Sequence, residues 1–308
     1  MTMGRAMRLL APLAGAAVLA AALISGSGPA SADPPVADSF AFAIGNGTLS
    51  GSDTVVAERY EDFDLVVVDG EEASAAQVEA IQAGGATVLA YLSVGTIESW
   101  RPWYGKLKRY RLSAWQDWRD EWFADASRSK YRRRVVAIAD ERILVKGFDG
   151  LFLDNVDMVE VKRHREQRAG MGALVAALDE LVDAQGGHLF AQNGAPGVLN
   201  GYPNKEVEPL ADHLDGWNRE DASFTWDFDQ RRYEPVPAAD REAALEELEA
   251  IGALGILTTA TDYVELDDGD LGDECAAVAN ATGAGALPYV ADIGLTVDAV
   301  EANPPACP

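Results

Sequence analysis

Gly147-Phe148-Asp149-Gly150-Leu151-Phe152-Leu153-Asp154-Asn155-Val156-Asp157 is the segment on which the reading of the fold turns. Its centre, Gly150–Leu153, is a short apolar run with glycine before it and acids after it. A run of this length, bounded in this way, reads as a strand buried on both faces. An acid released where such a strand finishes is what a parallel α/β barrel places at its mouth, where chemistry gathers.

Runs of the same kind recur on both sides. Phe40–Ile44, Leu65–Val68 and Thr87–Leu92 precede it; His188–Gln192, Leu214–Trp217, Gly255–Thr259 and Ala286–Val290 follow. Helical patterns lie between them. Ser74 with Gln77 forms a capping-box pattern and Gly84-Gly85 stops that segment. Tyr131–Val145, Met171–Ala184, Asp240–Ile251 and Cys275–Ala281 carry helix formers or apolar residues at helical spacing. Strand and helix alternating to a count near eight predicts a single-domain (β/α)8 TIM barrel over residues 39–302, with an open doubly wound sheet as the alternative. No G-x-G-x-x-G or P-loop follows an early strand, which weakens the nucleotide-binding version, and no cofactor is expected. Residues 33–38 and 303–308 read as a loose N-terminal segment and a C-terminal tail.

The chain of 308 residues carries 25 Lys and Arg against 50 Asp and Glu, a formal charge of −25. So negative a chain offers no overall field for phosphate backbones or anionic lipid, so neither nucleic acid nor a membrane surface is an expected partner, whereas a cationic polymer is. Residues 1–32 have the form of a signal peptide: Arg5 and Arg8, an uncharged run from Leu9 to Ile24, then Ala30-Ser31-Ala32 as a cleavage pattern. Secretion is therefore expected. In an oxidising compartment Cys275 and Cys307 read as one disulfide, with two free thiols as the alternative.

At the strand ends the polar residues are Asp69, Ser93, Asp154, Asn193, Glu220, Asp262 and Asp292. Any one of them has an ordinary explanation as a helix cap or ion-pair partner; the set is harder to explain so. Asp154 and Asp157, with Asn155 between them, suit glycosidic cleavage, in which one carboxyl attacks or stabilises an oxocarbenium-like centre and another protonates the leaving oxygen. The same residues could offer oxygens to a metal, but their spacing fits no defined cation loop, and no metal is expected. Trp100 to Trp122 holds five of the seven tryptophans, suited equally to stacking on sugar faces or to a satellite core. Asp267–Glu274 reads as an acidic loop. His164, His188 and His213 form no zinc pair, and there is no G-x-S-x-G elbow.

Taken in order, these pieces resemble glycoside hydrolase family 114, the endo-α-1,4-polygalactosaminidases and their relatives. The matching stretches are Asp64-Leu65-Val66-Val67-Val68-Asp69, Val88-Leu89-Ala90-Tyr91-Leu92-Ser93-Val94-Gly95, Trp118-Arg119-Asp120-Glu121-Trp122, Gly147 to Asp157, Gln192-Asn193 and Thr261-Asp262-Tyr263. The resemblance implies a secreted hydrolase of α-1,4-linked galactosamine polymers. Asp154 would be its nucleophile and Glu220 its acid/base. Asp69, Tyr91, Asp157, Asn193 and Asp262 would line the cleft, with Trp217 beside Glu220. Thr96 stands after Gly95 where the family often has an acid, with Glu98 only later. A carbohydrate-binding barrel of the cell surface without turnover is the competing reading.

Overall fold

The computed structural model describes residues 34–266 and 271–307. The expected signal peptide, residues 1–32, and residues 267–270 of the expected acidic loop lie outside the described residues. Eight parallel strands follow one another around a nearly closed barrel: β1 Phe40–Ala43, β2 Leu65–Asp69, β3 Thr87–Ser93, β4 Gly150–Asp154, β5 His188–Gln192, β6 Gly216–Glu220, β7 Leu257–Tyr263 and β8 Leu287–Ala291. Each strand pairs with the next in register, for instance Val67 with Leu89 and Leu153 with Ala191. The seam between β1 and β8 is crossed by side chains, with the Phe40 and Tyr289 rings edge to face at 5.9 Å. Just above it, Gly45 N–H donates to Leu295 O at 2.9 Å.

Outside the strands run α1 Asp53–Arg59, α2 Ala75–Ala83, α3 Ser129–Ile138, α4 Arg168–Asp183, α5 Ala195–Asn200, α6 Ala238–Gly252, α7 Gly272–Gly283 and α8 Val297–Ala302. The Ser74–Gln77 capping box opens α2 with both reciprocal bonds in place. The helical stretch that begins with α3 ends at Gly147, which takes a left-handed φ of 92° that a side chain would oppose. Gly150 is required by contact: a Cβ there would collide with the His188 backbone of the neighbouring strand.

Two strands sit later than the apolar runs suggested. β6 covers Gly216–Glu220 where Leu214–Trp217 was expected, and β7 reaches Tyr263. The reason is polarity inside the barrel. Asn218 is fully buried, donating to Gln192 Oε1 at 2.9 Å and accepting from Thr259 at 2.8 Å, so the upper strand is polar and still interior. Two insertions stand on the C-terminal rim. Thr96–Glu98, Arg111–Ala114 and Glu121–Ala124 form a three-stranded antiparallel sheet after β3. Phe224–Asp227 and Arg232–Pro235 form a hairpin after β6. A disulfide joins Cys275 in α7 to Cys307 in the tail. Among the described residues no helix is long and apolar enough to cross a membrane.

Candidate active site

Three successive strands finish in the same way. β4 ends with Asp154, β5 with Gln192 and β6 with Glu220, and the residue after each turns left-handed: Asn155 at φ 64°, Asn193 at 58° and Asp221 at 54°. Asn and Asp tolerate this conformation better than other residues with a side chain. The turn folds the Asn155 amide back, so that its Nδ2 donates to Asp154 Oδ2 at 2.9 Å and to Ser93 Oγ at 3.0 Å.

Asp154 is the more heavily hydrogen-bonded of two carboxyls in one cleft. It accepts from Tyr91 OH at 2.6 Å, Asn155 N–H at 2.6 Å and Gln192 Nε2 at 3.0 Å, besides the Asn155 amide. Gln192 must face it nitrogen first, because Asn218 donates to the other end of the Gln192 amide. Burial leaves the Asp154 carboxyl above its usual range, and the Tyr91, Asn155 and Gln192 donors, which favour the ionised form, limit the rise. Glu220 has fewer supports: Asn193 Nδ2 at 2.9 Å and a short bond from Tyr263 OH. Burial, then the nearby Asp154 and Asp221 charges, push it up to about 8. The Tyr91 and Tyr263 phenols are themselves held well above their usual range, chiefly by burial, and so stay protonated donors.

A cavity of about 270 Å³ opens above these groups. Its charged lining is Asp69, Glu72, Glu98, Glu121, Asp154 and Glu220 against the single guanidinium of Arg101. Arg101 is buried between Asp69 at 2.7 Å and Glu98 at 2.9 Å. Burial also pushes the Glu121 carboxyl, which accepts from Thr96 Oγ1 at 2.9 Å, up to about 8, with the Glu98 charge adding to it. Glu98 and Glu121 thus bring acids to the neighbourhood of Thr96 by way of the inserted sheet.

The tryptophan stretch divides between its two readings. Trp100, Trp115 and Trp118 line the cavity, while Trp103 is buried and Trp122 packs under Arg111, whose guanidinium sits 4.3 Å from the ring centroid. Trp118 meets Phe228 of the hairpin edge to face at 5.4 Å, so the two insertions touch at the cleft mouth.

Of the residues expected around the substrate, the structure brings Asp69, Tyr91, Asp154 and Glu220 together at the cavity. Asp157, Asn193, Trp217 and Asp262 are not among its lining residues. Trp217 is fully buried and donates from Nε1 to Asn193 O at 2.7 Å, fixing the turn that carries Asn193. Asp262 accepts from the Ser223 and Phe224 N–H groups at 2.5 and 2.9 Å and anchors the hairpin. Asp157 sits in the turn after β4 against Gly194, pushed up to about 7 by burial and by the Asp154 and Glu160 charges. These four act on the site from behind. Sequence reasoning passed over Glu98, Arg101, Glu121 and Tyr263 as site residues. Tyr263 and Glu121 each lie within a stretch that matches the family, and Glu98 stands just after Thr96; Arg101 alone carried no signal. Among the described residues no group of three or more His, Cys, Asp or Glu could hold a metal ion.

Comparison with known proteins points the same way. The chain superposes on the glycoside hydrolase domain of PelA from Pseudomonas aeruginosa with a TM-score of 0.69 and 23% identity, covering 84% of this chain and 96% of that one. It superposes on Aspergillus fumigatus Ega3, solved in complex with galactosamine, with a TM-score of 0.63 and 17% identity, covering 86% and 94%. Both show the shared barrel fold. An uncharacterized protein of Deinococcus radiodurans is 29% identical over 192 residues, 55% of this chain, which spans 59% of that relative's length. The profile of glycoside-hydrolase family GH114 matches residues 22–201, more than half of the sequence and inclusive of β1 to β5 with Asp154, and the chain therefore belongs to that family.

Proposed function

We propose that the protein is a secreted retaining glycosidase of α-1,4-linked galactosamine-containing polysaccharide, with Asp154 as nucleophile and Glu220 as general acid/base. The observation that carries this is the pair of carboxyls in one cleft with unequal environments. Asp154 is surrounded by donors that favour its ionised form; Glu220, pushed up to about 8, holds its proton at neutral pH. In the first step Asp154 Oδ attacks the anomeric carbon as the bond to the leaving oxygen breaks, and Glu220 gives that oxygen its proton. In the second, Glu220 takes a proton from water, whose oxygen displaces Asp154 and restores both groups. Tyr91 and Asn155 steady the Asp154 carboxylate between the steps. The acid excess of the lining, and the galactosamine bound to Ega3, support a protonated amino sugar as the unit recognised.

Incubation with deacetylated galactosaminan should release reducing ends faster than incubation with the N-acetylated polymer, and NMR should show an α-configured first product. Asp154→Asn should abolish turnover, a loss of several orders of magnitude, while leaving polymer binding intact. A β-configured first product would overturn retention, and near-normal activity in Asp154→Asn would remove that residue from catalysis.

A further inference from the structure

The overall charge conceals a second surface of opposite sign. Residues 106–111, 128–134 and 162–168 hold 13 Lys and Arg and a single acid, Glu166, whereas the remainder of the chain holds 12 against 49. The fold gathers these three segments into one flank beside the catalytic rim. Arg134 donates to the Lys106 carbonyl, Ser127 N–H to Gln167 Oε1 at 2.9 Å, and Ser113 Oγ meets His164 Nε2 at 3.3 Å. Among the described residues, Arg128 alone of the thirteen has a carboxylate partner, Asp125 at 3.0 Å. Lys106, Lys108, Arg109, Lys130, Arg133 and Arg165 are exposed and enter no ion pair. In a chain with twice as many acids as bases, so many cations left side by side without counter-charges repel one another and need a reason.

We infer that this flank binds a phosphate-bearing linear polyanion, an activity separate from the cleft. The cleft lining is acidic and the flank would repel a cationic polymer, so the flank is not a continuation of the substrate path. Nine of the thirteen cations are Arg, whose planar fork matches phosphate oxygens in pairs. Arg109, Arg128 and Lys130 surround a hollow of about 380 Å³ with Tyr110, Ser129 and one acid, Asp125, which Arg128 pairs, a shape suited to a chain rather than a flat sheet. None of the three segments contributes a large exposed apolar side chain that could insert among lipids. A hydrolase with a cationic substrate and a polyanion-binding flank would be held where the two polymers are themselves associated.

The test uses fluorescently labelled inorganic polyphosphate and the whole protein, read by anisotropy at low ionic strength, where the Debye length is about 30 Å. Binding is expected, weakening linearly in log–log form as salt rises. The variant Arg109→Ser/Lys130→Ser/Arg133→Ser should bind at least about tenfold more weakly and flatten that salt slope by about two. Its melting temperature and galactosaminan hydrolysis should match those of the wild type, and Asp154→Asn should bind polyphosphate normally. Absence of binding, or equal binding by the triple variant, would overturn the inference. So would equal affinity for polyglutamate, displacement of the probe by anionic vesicles but not by unlabelled polyphosphate, or salt-sensitive self-association that the triple variant abolishes.

Discussion

A carboxyl's work is decided by its donors, and the two cleft carboxyls differ there. Tyr263 is the clearest handle. Its phenol lowers Glu220 by bonding to the carboxylate, against burial and the Asp154 charge. Removing it should raise the Glu220 carboxyl further. The alkaline limb of kcat/KM, set by loss of the Glu220 proton near pH 8, should therefore move to higher pH in Tyr263→Phe. A limb that stays put or moves down would separate Tyr263 from the titration. Asp154 was legible because an acid interrupts an apolar run after Gly150-Leu151-Phe152-Leu153. Arg101 was not: only the folding of the inserted sheet brings it 2.7 Å from Asp69, thirty-odd positions away. No local pattern records a contact made through a neighbouring element.

Elements show the same divide. β4 and β5 were readable because their interior faces are apolar, whereas β6 hides polar side chains in a hydrogen-bonded interior, and the apolar count slid two residues early. The five tryptophans could not be sorted by spacing, because Trp115 and Trp118 lie in the connection between two strands of the inserted sheet and reach the cleft, while Trp103, in the connection after its first strand, is buried in the core. That sorting has a kinetic consequence. Trp118, half-exposed and braced by Phe228, is a wall for sugar rings outside the bond being cleaved. Trp118→Ala should raise KM for long polymer about three- to tenfold, the worth of one aromatic contact, and barely change hydrolysis of a short activated glycoside. Equal loss on both substrates, followed in parallel assays, would assign Trp118 to folding instead.

At the scale of the molecule, buried acids set the response to pH. Glu121 and Glu220 are pushed up to about 8, Asp157 to about 7, and Asp221 and Asp262 to about 6, all with burial as the first cause. Unfolded, such groups ionise near pH 4. Between about pH 4 and pH 8 the folded state therefore binds more protons, and stability falls as pH rises through that window. Calorimetry should find the melting temperature higher at pH 5 than at pH 8.5 by at least about 2–4 °C, the shift that 1 kcal/mol produces in a domain of this size; the reverse order would contradict these directions. The Cys275–Cys307 bond, spanning 32 positions, should contribute about 3–4 kcal/mol in the loop-entropy picture, and Cys307→Ser should melt correspondingly earlier. The seam adds a consequence in time. β8 meets β1 through Phe40, Tyr289 and the turn after β8, and that turn supplies Ile293, Gly294 and Leu295 to the cleft wall. Synthesis delivers this stretch after the other seven strands of the barrel. Until it emerges, β1 has an open edge and the cleft lacks one side, so the growing chain cannot grip a polymer while seven strands are already made and acquires its grip only with the eighth.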